Sequence, residues 1–269
     1  MRGVDLRFVD CHSHVVPSDD DGAGTIDEGI ALCREAAHRG TSVLFATPHV
    51  WPHLPLTEAR EARVRDAFAA VRAEAELELR LGWELTPTRE LLDEDPRRYV
   101  LEGTDCVLME VPFVGPADLL FELAERTVAA GLQPLIAHPE RTEAVHDRPE
   151  LADELAARGW LVQVNATSLL GRHGEEAAEL GWDLLDRGLA TLVASDGHRR
   201  TRPPHLDETY ELAVRRLGEE RALPLFDGSQ LVATQRRPAS RAASTEASLA
   251  TPTIEEARAL PVPPSGFRR

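Results

Sequence analysis

Short apolar runs alternate along most of the chain with longer stretches whose apolar residues recur every three or four positions. The short runs cover 4–10, 42–46, 77–81, 106–111, 133–137, 160–165 and 190–194, and each reads as a buried strand. The longer stretches cover 26–38, 57–76, 117–130, 149–158, 175–187 and 206–220, and they read as amphipathic helices. Thr25 is placed to cap the first helix, with Glu28 three residues on in a capping-box arrangement, and Asp207 stands near the start of the last. Strands separated by helices of this length predict repeated β-α units around a mostly parallel sheet. So many units in one run favour a closed barrel over two domains, with a doubly wound sheet as the rival that periodicity leaves open.

Composition narrows the class. The 269 residues are 42% hydrophobic and 28% charged, enough for a large core and unlike collagen, disulfide-stapled or wholly disordered chains. Acidic residues number 46 against 30 basic ones, for a net charge of −16, which argues against nucleic-acid binding through a broad positive face and leaves room for a local basic pocket. Every basic residue is Arg, a bias read here as one of coding composition. Cys11, Cys33 and Cys106 have neither metal-motif spacing nor an even count, which fits a reducing compartment. With no apolar signal stretch at the start and no run of about 18 apolar residues, the sequence predicts a cytoplasmic protein without a transmembrane segment. Character changes at 236–269, which is rich in Ala, Ser, Thr and Pro and carries six Arg against three Glu. That segment is expected to be a disordered tail behind a folded domain spanning 1–235.

Metal-binding residue types cluster where the predicted strands end: Asp10 with the His12/His14 pair, then Asp21, His49, Glu84, Glu110, His138, and Asp196 with His198. In a barrel or an open parallel sheet these ends converge on one mouth. Leaving Asp10 aside, nine ligand-type side chains exceed what one zinc needs and suit two or three ions with a bridging carboxylate. Residues i and i+2 of an extended segment share a face, so His12 and His14 point the same way, as do Asp196 and His198. Asp21, in an acidic loop, is recommended only by its closeness to His14. His38, His53, His146, His173 and His205 read as surface or hydrogen-bonded residues. Cys33 has Arg39 at the spacing of a phosphocysteine cradle, but Cys33 falls inside a predicted helix and not in a strand-loop-helix cradle, so the pair is discounted.

The segments Phe8-Val9-Asp10-Cys11-His12-Ser13-His14, Asp20-Asp21-Gly22, Ala46-Thr47-Pro48-His49 and Gly82-Trp83-Glu84 resemble motifs of the polymerase-and-histidinol-phosphatase (PHP) superfamily. Within it, Met109-Glu110-Val111-Pro112, Ala137-His138-Pro139-Glu140-Arg141, Gln163-Val164-Asn165-Ala166-Thr167-Ser168-Leu169-Leu170-Gly171 and Ala194-Ser195-Asp196-Gly197-His198 resemble the capsular-polysaccharide type of manganese-dependent protein-tyrosine-phosphatase. The resemblance spans about residues 4–235 and keeps motif order. It implies a distorted seven-stranded β/α barrel holding three divalent ions, manganese first and iron or zinc as alternatives. One ion would take His12, His14, Glu84 and Asp196. A second would share Glu84 and add Glu110 and His138, and a third would use Asp21, His49 and His198. Asp10 is expected to orient a neighbouring imidazole. Arg141 and Arg202 are the expected phosphate clamps, with Arg199 and Arg200 as rivals for the second place, because the family's arginine stands about one residue further from the last ligand.

The activity so implied is hydrolysis of protein phosphotyrosine, with a bacterial tyrosine autokinase of capsule or exopolysaccharide assembly as substrate. Alternatives are a small-molecule phosphatase of the histidinol-phosphate type and a non-catalytic metal-containing scaffold; a homo-oligomer is also compatible with the sequence.

Overall fold

A computed structural model of the chain describes residues 7–199 and 201–232. The start of the predicted strand 4–10, the candidate Arg200 and the segment 236–269 lie outside the described residues, the first of these in part.

All pairings between the described strands are parallel. Strands β1 (Phe8–Ser13), β2 (Thr41–Ala46) and β4 (Glu78–Leu81) form one sheet in the order β1-β2-β4. Strands β3 (His49–Val50), β5 (Glu84–Leu85), β6 (Cys106–Glu110), β7 (Gln133–Ala137), β8 (Leu161–Asn165) and β9 (Leu192–Ala194) form the other, in that order. Within each sheet the strand order runs one way, without the reversal that marks a doubly wound sheet. The mixed α/β architecture with parallel strands is as the sequence predicts. The described strands number nine because two predicted runs are each followed, after a two-residue break, by a short strand, β3 or β5. A bridge between Ser13 and Gly197 brings the end of β1 to the segment after β9, where the His14 N–H donates to the Gly197 carbonyl at 2.6 Å.

Helices α1 (Ile26–His38), α2 (Glu58–Arg72), α3 (Asp118–Ala129), α4 (Glu143–Asp147), α5 (Glu150–Ala157), α6 (Ala166–Leu169), α7 (Glu175–Asp186) and α8 (Asp207–Leu217) connect the strands or follow them. The Thr25 hydroxyl caps α1 by accepting the Glu28 N–H, but the Glu28 carboxylate turns back to the Gly24 N–H instead of closing the capping box on Thr25. Gly218, at φ +83°, ends α8 earlier than predicted.

Alternation along the strands builds two apolar clusters. Val107 and Met109 of β6, Ile136 of β7, and Val162 and Val164 of β8 pack with the helices in the larger one. Their neighbours Cys106, Leu108, Leu135, Ala137 and Leu161 join Cys11, Phe45, Leu192 and Ala194 in a smaller cluster made almost wholly of strand residues. Period-two alternation thus gives β6, β7 and β8 one face in each cluster. Glu110, Gln163 and Asn165 continue the small cluster's rows at the C-terminal ends of β6 and β8, where apolar packing gives way to buried polar chemistry.

Candidate metal centre

Six strands bring residues at or next to their ends into one buried polar nest. β1 supplies His12 and the turn after it His14; β3 opens on His49, β5 on Glu84, β6 closes on Glu110, and His138 and Asp196 follow β7 and β9. His12, His14 and Glu84 are fully buried, and Asp196 and His138 are 2% exposed, so water does not solvate this charge. His138 and Asp196 hold left-handed backbone at φ +33° and +49°, a conformation that side-chain-bearing residues rarely adopt and that turns both side chains inward at the strand ends. The turn carrying Asp20 and Asp21 depends on Gly22, where a Cβ would stand 2.5 Å from the His14 carbonyl oxygen.

Glu84 is the hub. Its Oε1 stands 2.9 Å from His138 Nε2, while Oε2 stands 3.1 Å from His12 Nε2, 3.2 Å from His14 Nε2 and 2.9 Å from His49 Nδ1. None of the three nitrogens around Oε2 meets it along a hydrogen-bond direction, and the oxygen is an orphan among buried polar atoms. Glu110 Oε2, His14 Nδ1, His49 Nδ1 and His138 Nδ1 are orphans too. His12 Nε2 and His14 Nε2 face each other at 3.2 Å. Asp196 Oδ1 lies 3.5 Å from each of them, and Asp21 Oδ1 lies 3.2 Å from His198 Nε2 and 3.6 Å from His49 Nε2.

Charge in the nest is unevenly held. Against the upward push of burial, His12 and His49 keep Glu84 ionised well below the usual carboxylate range, and His12 and His14 do the same for Asp196. Glu110 goes the other way, pushed up to about 8 by burial and by the charge of Glu84, with the Thr86 hydroxyl donating to it. Burial also pushes His198 down to about 4. Ring nitrogens face to face, orphaned carboxylate oxygens and full burial fit divalent cations better than any proton arrangement these donors permit. Three overlapping sets present ligand atoms within 4.8 Å of one another: His14 with His49 and His198, His12 with His14 and Asp196, and His12 with Glu84 and His138. Asp21, whose side chain is 60% exposed, and Glu110 border these sets without joining one.

Above the nest is a cavity of about 190 Å³ lined by Trp51, Glu110, Phe113, Arg141, Asp196 and Arg202 among others. Arg141 donates from Nη1 to Asp196 Oδ2 at 2.8 Å and lies over the Phe113 ring, 5.0 Å from its centroid. Arg202 abuts His198 Nδ1 and stands 3.9 Å from Asp196 Oδ1. Arg199 is turned away, donating to the Asp21 carbonyl.

Some expectations need correcting. Asp10 orients backbone and not an imidazole: its Oδ1 accepts the Ser195 N–H at 3.0 Å and the His12 N–H at 3.4 Å, joining the ends of β1 and β9. Asp20, passed over beside Asp21, is the member of the acidic loop whose side chain is buried; it lies 3.6 Å from His14 Nδ1 and accepts the His49 N–H at 3.0 Å. Only the turn geometry distinguishes the two neighbours. Arg60 was also missed: buried in α2, it donates to the Ser18, His49 and Leu54 carbonyls and pins both ligand loops. His38, His146 and His205 do find ordinary partners, in Glu76, the Glu140 carbonyl and Glu35. The cysteines are buried and free, and burial pushes the Cys33 and Cys106 thiols up to about 12, so neither is a thiolate nucleophile near neutrality.

Residues 8–230 match the family model described as capsular polysaccharide synthesis, CpsB/CapC. The chain is 29% identical over 232 residues to the tyrosine-protein phosphatase YwqE of Bacillus subtilis, covering 84% of this chain and 91% of that one. Against the tyrosine-protein phosphatase CpsB of Streptococcus agalactiae serotype V it is 28% identical over 233 residues, covering 81% and 95%. Among solved structures it resembles one from the study of YwqE of Bacillus subtilis and CpsB of Streptococcus pneumoniae, described there as unique metal-dependent tyrosine phosphatases. The TM-score is 0.73 at 28% identity, over 81% of this chain and 90% of that one. With the match running from β1 to the last described helix, the chain belongs to the CpsB/CapC family of capsular polysaccharide synthesis.

Proposed function

We propose that the chain is a metal-dependent protein-tyrosine-phosphatase acting on a bacterial tyrosine autokinase of capsule or exopolysaccharide synthesis in the cytoplasm. The observation that carries this reading is a buried nest of imidazoles and carboxylates beneath a cavity that Arg141 and Arg202 border. Relatives named tyrosine-protein phosphatases support the substrate class. A second cavity of about 800 Å³ shares Phe113 and Arg141 with the first and gives room for polypeptide around a phosphotyrosine. No described helix is long and apolar enough to cross a membrane.

The ligands proposed are those carried over from the family resemblance: His12, His14, Glu84 and Asp196; Glu84, Glu110 and His138; and Asp21, His49 and His198, for three ions with manganese first. Divalent ions there would neutralise phosphoryl oxygens and lower the pKa of water. This chain's own residues do the rest. Arg141 grips the phosphoryl group, Arg202 borders it from the His198 side, and Phe113 and Trp51 wall the mouth. Merging β2 with β3 and β4 with β5 leaves seven strand runs, and with the Ser13–Gly197 bridge these support a distorted seven-stranded barrel as the finer description.

Chelation is expected to abolish hydrolysis of p-nitrophenyl phosphate and of phosphotyrosyl peptides, and manganese to restore both. Full turnover by protein verified as metal-free would reject the reading. Histidinol phosphate is expected to be the poorer substrate by kcat/KM, and the reverse order would move the assignment to small-molecule phosphatases.

Residues 1–235 are proposed to suffice for this chemistry, consistent with a family match that ends at 230. A chain stopped after Gln235 is expected to unfold cooperatively on heating and to keep small-substrate turnover. Loss of the cooperative transition would assign 236–269 to the core instead.

A further inference from the structure

Two buried amides lie beneath the nest. Gln163 and Asn165 sit on one face of β8, two residues apart, and both are fully buried. Gln163 Oε1 lies 3.0 Å from His12 Nδ1, Gln163 Nε2 lies 2.7 Å from Asn165 Oδ1, and Asn165 Nδ2 lies 2.8 Å from Asp196 Oδ2.

The direction of this chain of hydrogen bonds is forced from its Asp196 end. That carboxylate also receives Arg141, so it is ionised and can only accept. Asn165 must therefore present its NH2 to Asp196 and its oxygen to Gln163. Gln163 must then present its NH2 to Asn165 and its oxygen to His12. A carbonyl oxygen facing an imidazole nitrogen requires that nitrogen to carry the proton. His12 is thereby held as the Nδ1–H form, and its Nε2 lone pair points to His14, Glu84 and Asp196. At the other end Asp196 Oδ2 is occupied by Asn165 and Arg141, which leaves Oδ1 turned to His12, His14 and His198.

We infer that Gln163 and Asn165 form a polarised amide relay that presets two metal ligands together, fixing the ring form of His12 and the free oxygen of Asp196. They are positioning residues and touch neither substrate nor ion. The inference rests on the metal-centre reading above and adds the device by which β8, which supplies no ligand, controls ion affinity. Imidazole ligands are commonly fixed through their second nitrogen by a carboxylate or carbonyl. Here a single relay serves ligands from two different strand ends.

Zinc is the probe, because it is diamagnetic and binds the same donor types. Metal-depleted protein is titrated with zinc against a chelating dye, alongside Gln163→Leu, which removes both relay contacts, and Gln163→Glu, which keeps an acceptor for His12 but loses the NH2 given to Asn165. Gln163→Leu is expected to bind zinc roughly 10- to 100-fold more weakly, the range typical of losing such a partner, and Gln163→Glu to lose less because it keeps the His12 contact. Wild-type affinity in Gln163→Leu, or equal losses in the two variants, would overturn the relay and reduce Gln163 to packing. Should Gln163→Leu fail to fold, the wild type decides by itself. At a pH where the ring is neutral, ¹⁵N-histidine spectra of the metal-free protein are expected to place the His12 proton on Nδ1, and a neutral ring protonated on Nε2 overturns the relay. Failure of the wild type to bind zinc at all would instead overturn the metal centre on which the relay depends.

Discussion

Replacing Glu84 by Gln is expected to strip the site of metal and of activity together. Glu84 is fully buried, and imidazole nitrogens of His12, His14, His49 and His138 stand within 2.9–3.2 Å of its two oxygens. Gln has the same shape but no charge, and it turns an NH2 toward ring nitrogens whose lone pairs the cations require. Because partners one step removed from a metal already cost roughly 10- to 100-fold, losing a carboxylate proposed to bridge two ions is expected to lower kcat/KM by about 10²-fold or more. Bound metal per chain should fall in the same preparation, and the rise in Tm expected of the wild type on adding manganese should shrink with it. Elemental analysis beside steady-state kinetics checks both. Wild-type metal content with lost activity would remove Glu84 from the ligands and make it a group acting on substrate; wild-type values of both would reject any role in the centre.

How far the sequence could be read follows from where periodicity carries information. Strands such as β6, β7 and β8 separate an apolar face toward the helices from one inside the strand cluster, so their existence and limits are legible within a residue or two. β3 and β5 are two residues each, too short for alternation to register, although His49 and Glu84, which open them, stand out as chemistry. Ligand-type residues at strand ends are visible because parallel strands send their C-terminal ends to one side, whatever the closure of the sheet. What stays hidden depends on turns and on directed hydrogen bonds. Asp20 and Asp21 are equivalent in composition, and Gly22 decides which is buried against His14. Asp10 looks like a partner for an imidazole, yet its carboxylate is taken by two backbone N–H groups. Gln163 and Asn165 carry no charge and no ligand signature; their part emerges only once Asp196, 31 residues from Asn165, is brought within 2.8 Å.

Arg141→Lys is expected to leave the metal in place and still lose about 10²-fold in kcat/KM, the loss of a bidentate grip that tightens in the transition state. Arg141 already uses Nη1 on Asp196 Oδ2, while its Nε and Nη2 make no hydrogen bond to another described residue. That geometry leaves one fork edge of the guanidinium for phosphoryl oxygens while the opposite side stays tied to Asp196, and the Phe113 ring beneath restrains the plane. A lysine ammonium is a point charge on a flexible stem. It can pair with Asp196 or reach the phosphoryl group, but it cannot present two parallel donors to the one while held by the other. The defect should therefore appear in turnover at unchanged metal content, which separates it from that of Glu84→Gln. Arg202→Lys is the matched comparison: Arg202 meets His198 and lies farther from Asp196, so a smaller loss is expected there. An Arg141→Lys enzyme with full metal and wild-type kcat/KM would reject the clamp and leave Arg141 as the ion-pair partner of Asp196, a task lysine performs as well.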